Sequence, residues 1–233
     1  MALKRFYKVC AVESTGDGHA VTLDGRSIKT PGKAPLIVPS KPLADVVAGE
    51  WDAQGDEIVT DSMPMTQFAS TAVDRVVPRR DTVIDDIAAY GRTDLLCYRA
   101  EHPTALVERQ GAVWQPLLDW AALRFDAPLL VTGGVIPVDQ PENSLAAVRA
   151  AVAESDDYAL SGLYSLTVAS GSVVLALAVR EEEIEAEAAF AASQLDETWQ
   201  AEQWGSDPEA ESRRERLRTD FLAAAQFLGL LRA

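Results

Sequence analysis

Histidine and cysteine are almost missing from this chain, with two of each in 233 residues. His19 stands beside a turn and His102 precedes Pro103, so an HExxH pair or any other His-based metal cluster is excluded, and both read as surface loop residues. Cys10 and Cys97 lie far apart in apolar segments. That spacing excludes a disulfide framework and a CxxC metal pattern and leaves two buried free thiols as the reading. Cations are scarce too: 21 Lys and Arg stand against 36 Asp and Glu, a net charge of -15. Phosphate backbones are gripped by clustered Lys and Arg, so a nucleic-acid binder is excluded. Arg213, Arg214, Arg216 and Arg218 do cluster, but Glu211 and Glu215 interleave them, as on a solvated helix face with ion pairs. No apolar run is long and unbroken enough to span a bilayer. The opening MALKRFYKV enters a strand without a hydrophobic h-region or an Arg/Ser-rich leader, and a reducing bacterial cytoplasm is the compartment that fits. Gly16 and Gly18 make a GxG that lacks its third glycine and its following helix; there is no GxxxxGK[ST] loop and no GxSxG elbow, so nucleotide and acyl chemistry have no foothold.

What is present is ample material for a core. At 48% hydrophobic content the chain suits one large domain or two small ones. Its first part reads as a small antiparallel meander: Phe6–Val12, His19–Leu23, Arg26–Lys29 and Pro35–Val38. The Thr15-Gly16-Asp17-Gly18 turn and the tight Asp24-Gly25 hairpin separate the early strands. Ser40 is placed to cap a helix in which Leu43, Val46, Val47, Trp51 and Gln54 share a face. A short strand at Glu57–Thr60 and a helix over Thr66–Val76 follow, the latter expected to end at Pro78. Beyond it the pattern is helical: 81–90, 105–125, 142–154 and 158–169, with a Gly/Pro-marked connection over Thr132–Pro141. SVVLALAV at 172–179 fits either strand or buried helix by pattern and is assigned as helix from its neighbours. Asp207-Pro208-Glu209 opens the last helix, with Leu217, Phe221, Ala224, Leu228 and Leu231 along it. The fold class is α+β: a β-rich domain over residues 1–78 and a larger all-helical domain over 79–233.

One stretch, SQLDETWQAEQWG at Ser193–Gly205, ends a helical run that starts near Glu181. On a 3.6-residue repeat Ile184, Ala188, Ala191, Leu195 and Trp199 form one stripe, while Phe190, Ala201 and Trp204 fall nearly opposite. Two apolar faces predict a central helix between two neighbours. Glu197 falls on the Trp204 face and Glu202 on the Leu195/Trp199 face, and carboxylates rarely sit unpaired among apolar groups. Each either reaches the rim or meets an Arg of another helix, or the acids and indoles together form a recognition surface. Most of the five tryptophans, Trp51, Trp114, Trp120, Trp199 and Trp204, are expected in the core.

RFYKV near the N-terminus, LDGRSIKTP, EWDAQ at Glu50–Gln54, TDLLCYRA at Thr93–Ala100, and LDETWQAEQWG followed by Asp207 and Glu209-Ala210 resemble, together and in this order, the assembly chaperone family of F-type ATP synthase that holds the alpha subunit. The likeness covers nearly the whole length. Gln115 in Trp114-Gln115-Pro116 stands where the family's pattern has Asp. The resemblance implies a β-rich N-terminal part, a helical C-terminal part and a non-enzymatic role. The protein would bind newly made alpha subunit of the catalytic sector transiently, until the beta subunit replaces it. It implies a bacterial binder with no cofactor, no metal and no membrane insertion, acting as a monomer. It also implies that Asp196 and Glu197 supply charge complementarity to the client, with Glu202 beside them and with Trp199 and Trp204 either touching the client or fixing the helix.

A chaperone must cover apolar surface that a subunit exposes before its neighbours arrive, and must then let go, which suits a modest, partly polar interface. Two other classes stay open from the residues alone. A hydrolase-type small-molecule enzyme built on a carboxylate pair predicts a deep pocket with perturbed acids. A structural adaptor predicts permanent residence in the finished assembly.

Overall fold

The computed structural model describes residues 3–134 and 137–232. In chain order it holds β1 (Leu3–Lys4), β2 (Cys10–Thr15), β3 (Gly18–Leu23), β4 (Arg26–Ser27), β5 (Ile37–Val38), α1 (Lys41–Asp52), β6 (Glu57–Ile58) and α2 (Pro64–Thr71). Then come α3 (Arg80–Ala89), β7 (Tyr98–Arg99), α4 (Thr104–Phe125), β8 (Thr132–Gly133), α5 (Glu142–Ala153), α6 (Asp157–Ser170), α7 (Val173–Arg180), α8 (Ala186–Ser193), α9 (Leu195–Trp204) and α10 (Pro208–Arg232). A small strand region followed by mostly helical chain is the α+β class expected. Val135 and Ile136, inside the connection over 132–141, lie outside the described residues.

The chain forms two compact units. The first comprises Met1–Arg80, Asp156–Gly162 and Gln226–Ala233; the second comprises Asp81–Ser155 and Leu163–Ala225.

In the first unit β2 and β3 pair antiparallel from Cys10↔Leu23 to Thr15↔Gly18, while β4 and β5 pair with opposite ends of β3. The first strand of this sheet starts at Cys10 rather than Phe6, because Leu3–Lys4 pairs instead with Glu57–Ile58. His19 therefore lies in β3, not in a loop, with Nδ1 3.4 Å from Ser14 Oγ. The Asp24-Gly25 hairpin takes positive φ at both residues, 49° and 77°, the geometry a two-residue turn requires. Ser40 caps α1 by accepting from Leu43 N–H at 3.2 Å, and Leu43, Ala44 and Val47 sink into the core. Trp51 is half-buried, edge-on to Tyr7 with ring centroids 5.8 Å apart, and its buried Nε1 has no hydrogen-bond partner among the described residues.

Pro78 does not end the helical path after α2. A wide π turn over Ala72–Val76 passes into a 3-10 turn over Val77–Arg79 and on into α3. Proline lacks an N–H and crowds the carbonyl one turn back, and a wide turn there relieves both demands without breaking the helical path.

The second unit is built around α7. All eight of its residues are buried, as a helix apolar on every side must be, so the reading of 172–179 as helix holds. Trp114 of α4 is fully buried and donates from Nε1 to Ala192 O at 2.9 Å; Phe190 and Phe221 meet at 5.7 Å between centroids. A cis peptide bond joins His102 to Pro103, the residue before α4.

The run from Glu181 to Trp204 is not one helix. Residues 181–185 form turns, α8 ends at Ser193, and Gln194, at φ -106° and ψ 19°, separates it from α9. The central buried helix is thus α7. In α9 Leu195 alone is buried. Nor are most tryptophans core: Trp114 is enclosed, Trp51, Trp120 and Trp199 are half-buried, and Trp204 is 79% exposed. Once the helix breaks, its projected stripes no longer bind it between two layers.

Candidate functional site

The five residues singled out on α9 divide by what holds them. Asp196 Oδ1 accepts from Gln110 Nε2 of α4 at 2.7 Å. Arg109, also on α4, reaches Glu202 at 2.9 Å, and its guanidinium lies 4.8 Å from the Trp199 ring centroid. Arg109 and Gln110 are neighbours on one helix, so they fasten α9 by two acids and one indole at once. The pairing of Glu202 holds Arg109 more firmly protonated than usual, through the shared hydrogen bond. An Arg on another helix is thus what Glu202 meets. Glu197 is exposed and makes no hydrogen bond or ion pair with the described residues. Trp204 ends α9 and projects into solvent.

Beside this face lies an open groove of about 910 Å³. Glu197, Ala201 and Trp204 of α9 and Ala210, Arg213, Arg214 and Leu217 of α10 line it, together with Ser170 and Gly171. Gly205, at φ 85°, reverses the chain between the two helices, a conformation glycine adopts without penalty. Asp207 caps α10 by accepting from Ala210 N–H at 3.3 Å, and Arg214 donates to Thr198 at 3.3 Å. The basic cluster is in part the solvated face expected: Arg218 pairs with Glu187 and Glu215.

The acids most perturbed by burial lie elsewhere. Asp94 is fully enclosed, and desolvation pushes its carboxyl up from 3.8 to about 6. It accepts from Ser172 Oγ at 2.7 Å, from Leu96 N–H at 3.0 Å and from Val174 N–H at 3.1 Å, joining the 95–97 turn to the start of α7. Glu50, half-buried, is raised by desolvation as well. It accepts from the N–H groups of Met65 and Thr66 at 2.7 and 2.8 Å, capping α2, whose own N-cap position holds Met63 and offers no side-chain oxygen. Both acids are occupied with helix N-termini. No group of three His, Cys, Asp or Glu side chains is placed to hold a metal ion among the described residues. Burial pushes the Cys97 thiol up to about 12, which keeps it protonated. Cys10 is only half-buried.

Sequence reasoning missed Asp94, Glu50, Arg109 and Gln110. Glu50 had a signal: a Pro-led helix at Pro64 without a Ser, Thr, Asp or Asn before it needs an acceptor from elsewhere. Arg109 and Gln110 had none, since their partners are more than eighty residues away along the chain.

Fold and site define a class: a two-unit α+β protein with an open groove walled by helices and edged by an exposed indole and a carboxylate. A family model described as ATP12 chaperone protein matches residues 4–122. Similar solved structures include Atp12 from Paracoccus denitrificans, with a TM-score of 0.95, 41% identity and 98% of both chains covered. Another is a protein from Agrobacterium tumefaciens, with a TM-score of 0.92, 41% identity, 98% of this chain and 86% of that one. Among curated relatives is the mitochondrial protein atp12 of Schizosaccharomyces pombe, 23% identical over 217 residues, which are 88% of this chain and 75% of that one. This chain belongs to the ATP12 chaperone family, the F-type ATP synthase assembly chaperones that its sequence resembles. No described helix is long and apolar enough to cross a membrane.

Proposed function

We propose that this protein binds the newly made alpha subunit of the catalytic sector of F-type ATP synthase, keeps it from aggregating, and yields it when the beta subunit arrives. It works as a monomer in a bacterial cytoplasm and catalyses no reaction. The client-facing residues are those of α9: Asp196, Glu197, Trp199, Glu202 and Trp204.

The observation that supports this most is Trp204, 79% exposed at the lip of a groove. A tryptophan left in water forfeits roughly 25 cal/mol for each Å² of apolar surface a partner could cover. Indoles are also enriched among residues that dominate interface energies. The groove carries both apolar and charged walls, which suits a complex that must dissociate. The carboxylate-enzyme reading draws less support, because the acids with raised pKa, Asp94 and Glu50, spend their oxygens on helix ends rather than on an open pocket.

The test is co-purification. Immobilised protein should retain isolated alpha subunit, release it when beta subunit is added, and be absent from intact synthase. Retention of beta rather than alpha, or persistence in the finished enzyme, would overturn the reading.

A further inference from the structure

We infer that the groove between α9 and α10 seats a single segment of the client that carries a large apolar side chain for Trp204 and a Lys or Arg for Glu197. The inference rests on the chaperone reading and narrows it from five residues to two.

The narrowing follows from what each side chain already does. Asp196, Trp199 and Glu202 are spent on Gln110 and Arg109 of the same molecule, so they hold α9 in place and are positioning residues. Glu197 and Trp204 have no such engagement, and both line the groove. They are seven residues apart on one helix, hence on one face and about 10 Å apart along the axis. The residue between them on that face is Ala201, whose short side chain leaves the space open.

Spacing and charge then describe the occupant. A helical segment matches that spacing with two side chains seven residues apart on one face, whereas same-side positions of an extended segment, two or four residues apart, fall at about 7 or 13 Å. The free charges on the walls are Glu197 and Glu211 against Arg213, since Glu202 is matched by Arg109, Asp207 caps α10 and Arg214 bonds Thr198. A cation brought to Glu197 meets a carboxylate with no competing partner, inside the field of a chain of net charge -15. An acidic segment would meet repulsion there.

The experiment uses the full chain, intact alpha subunit and overlapping 15-residue peptides that tile the alpha subunit. Capture is measured for the parent protein, Glu197→Gln, Glu197→Lys, Trp204→Ala and the charge-matched control Asp17→Lys, with a thermal melt of each. The parent should capture alpha. Glu197→Lys and Trp204→Ala should each weaken capture at least tenfold with melting unchanged, Glu197→Gln should weaken it less, and Asp17→Lys should match the parent. Bound peptides should carry Lys or Arg seven residues from a large apolar side chain. If the parent captures alpha and the groove variants capture it equally well, the groove assignment falls and the chaperone reading stands. If bound peptides lack a basic residue or are acidic, the stated chemistry is wrong. Failure of the parent itself to capture alpha removes the chaperone reading and this inference with it.

Discussion

At the scale of single residues, Asp94 shows how a buried acid becomes a fold determinant with a pH signature. Desolvation raises its carboxyl to about 6, and the N–H and hydroxyl donors around it offset only part of that rise. The folded state therefore keeps a proton on Asp94 between the ordinary value of 3.8 and about 6, where the unfolded chain has released it. The associated stabilisation is fully present below pH 3.8 and is lost as pH rises through about 6. A gap of that size corresponds to about 3 kcal/mol. Asp94→Asn cannot titrate, so the stability of the parent relative to this variant should fall by that order between pH 4 and pH 7, measured by urea denaturation across the range. A pH-independent difference would mean that Asp94 is charged in the folded protein throughout. TDLLCYRA announces only part of this role, the cap that Asp94 gives to Leu96 N–H; the other two donors sit at the start of a helix almost eighty residues later, and only packing brings them to it.

Among elements, those whose ends are written in local chemistry were legible. Ser40 before Lys41-Pro42, Asp24-Gly25 between strands, and Asp207-Pro208 all do what their residue types favour. The break at Gln194 was not legible, because two helices laid end to end can keep the apolar spacing of one. The path through Pro78 was not either, since proline's missing donor can be met by a π turn that no spacing rule forecasts. The candidate site inherited this: its five residues were found from a projected helix that is really the shorter α9, and their division into held and free side chains came only with Arg109 and Gln110. Ser40 gives the test at this scale. Its hydroxyl accepts from Leu43 N–H and also donates to Leu230 O at 2.5 Å, so Ser40→Ala removes a cap and leaves a carbonyl unmatched. A loss of 1–2 kcal/mol, roughly, is expected, seen as a lower urea midpoint at constant m-value. A loss below about 0.3 kcal/mol would show that water replaces both bonds.

For the whole molecule, the first unit draws its core from three separate parts of the chain. Most of its elements lie before residue 78, as the sequence reading divides it, yet Leu160, Phe227 and Leu228 are buried in it as well. Phe227 packs on Phe68 with centroids 5.2 Å apart. Leu228 lies so close to Gly162 that an added Cβ there would sit 3.0 Å from it. Tyr158 donates to Ile37 O, and Ser161 donates to Phe68 O at 3.0 Å. Losing one large buried apolar side chain costs about 2–5 kcal/mol, while a whole domain is stable by only about 5–15 kcal/mol. Removing three such side chains together with these hydrogen bonds exceeds what an 80-residue unit can spare. Residues 1–78 expressed alone should therefore show no cooperative thermal transition and should bind a hydrophobic dye, although their hairpin and α1 are locally well specified. A sharp, reversible melt of that fragment would show that the sheet and α1 suffice, and that the returning segments at 156–162 and 226–233 decorate a domain that folds without them.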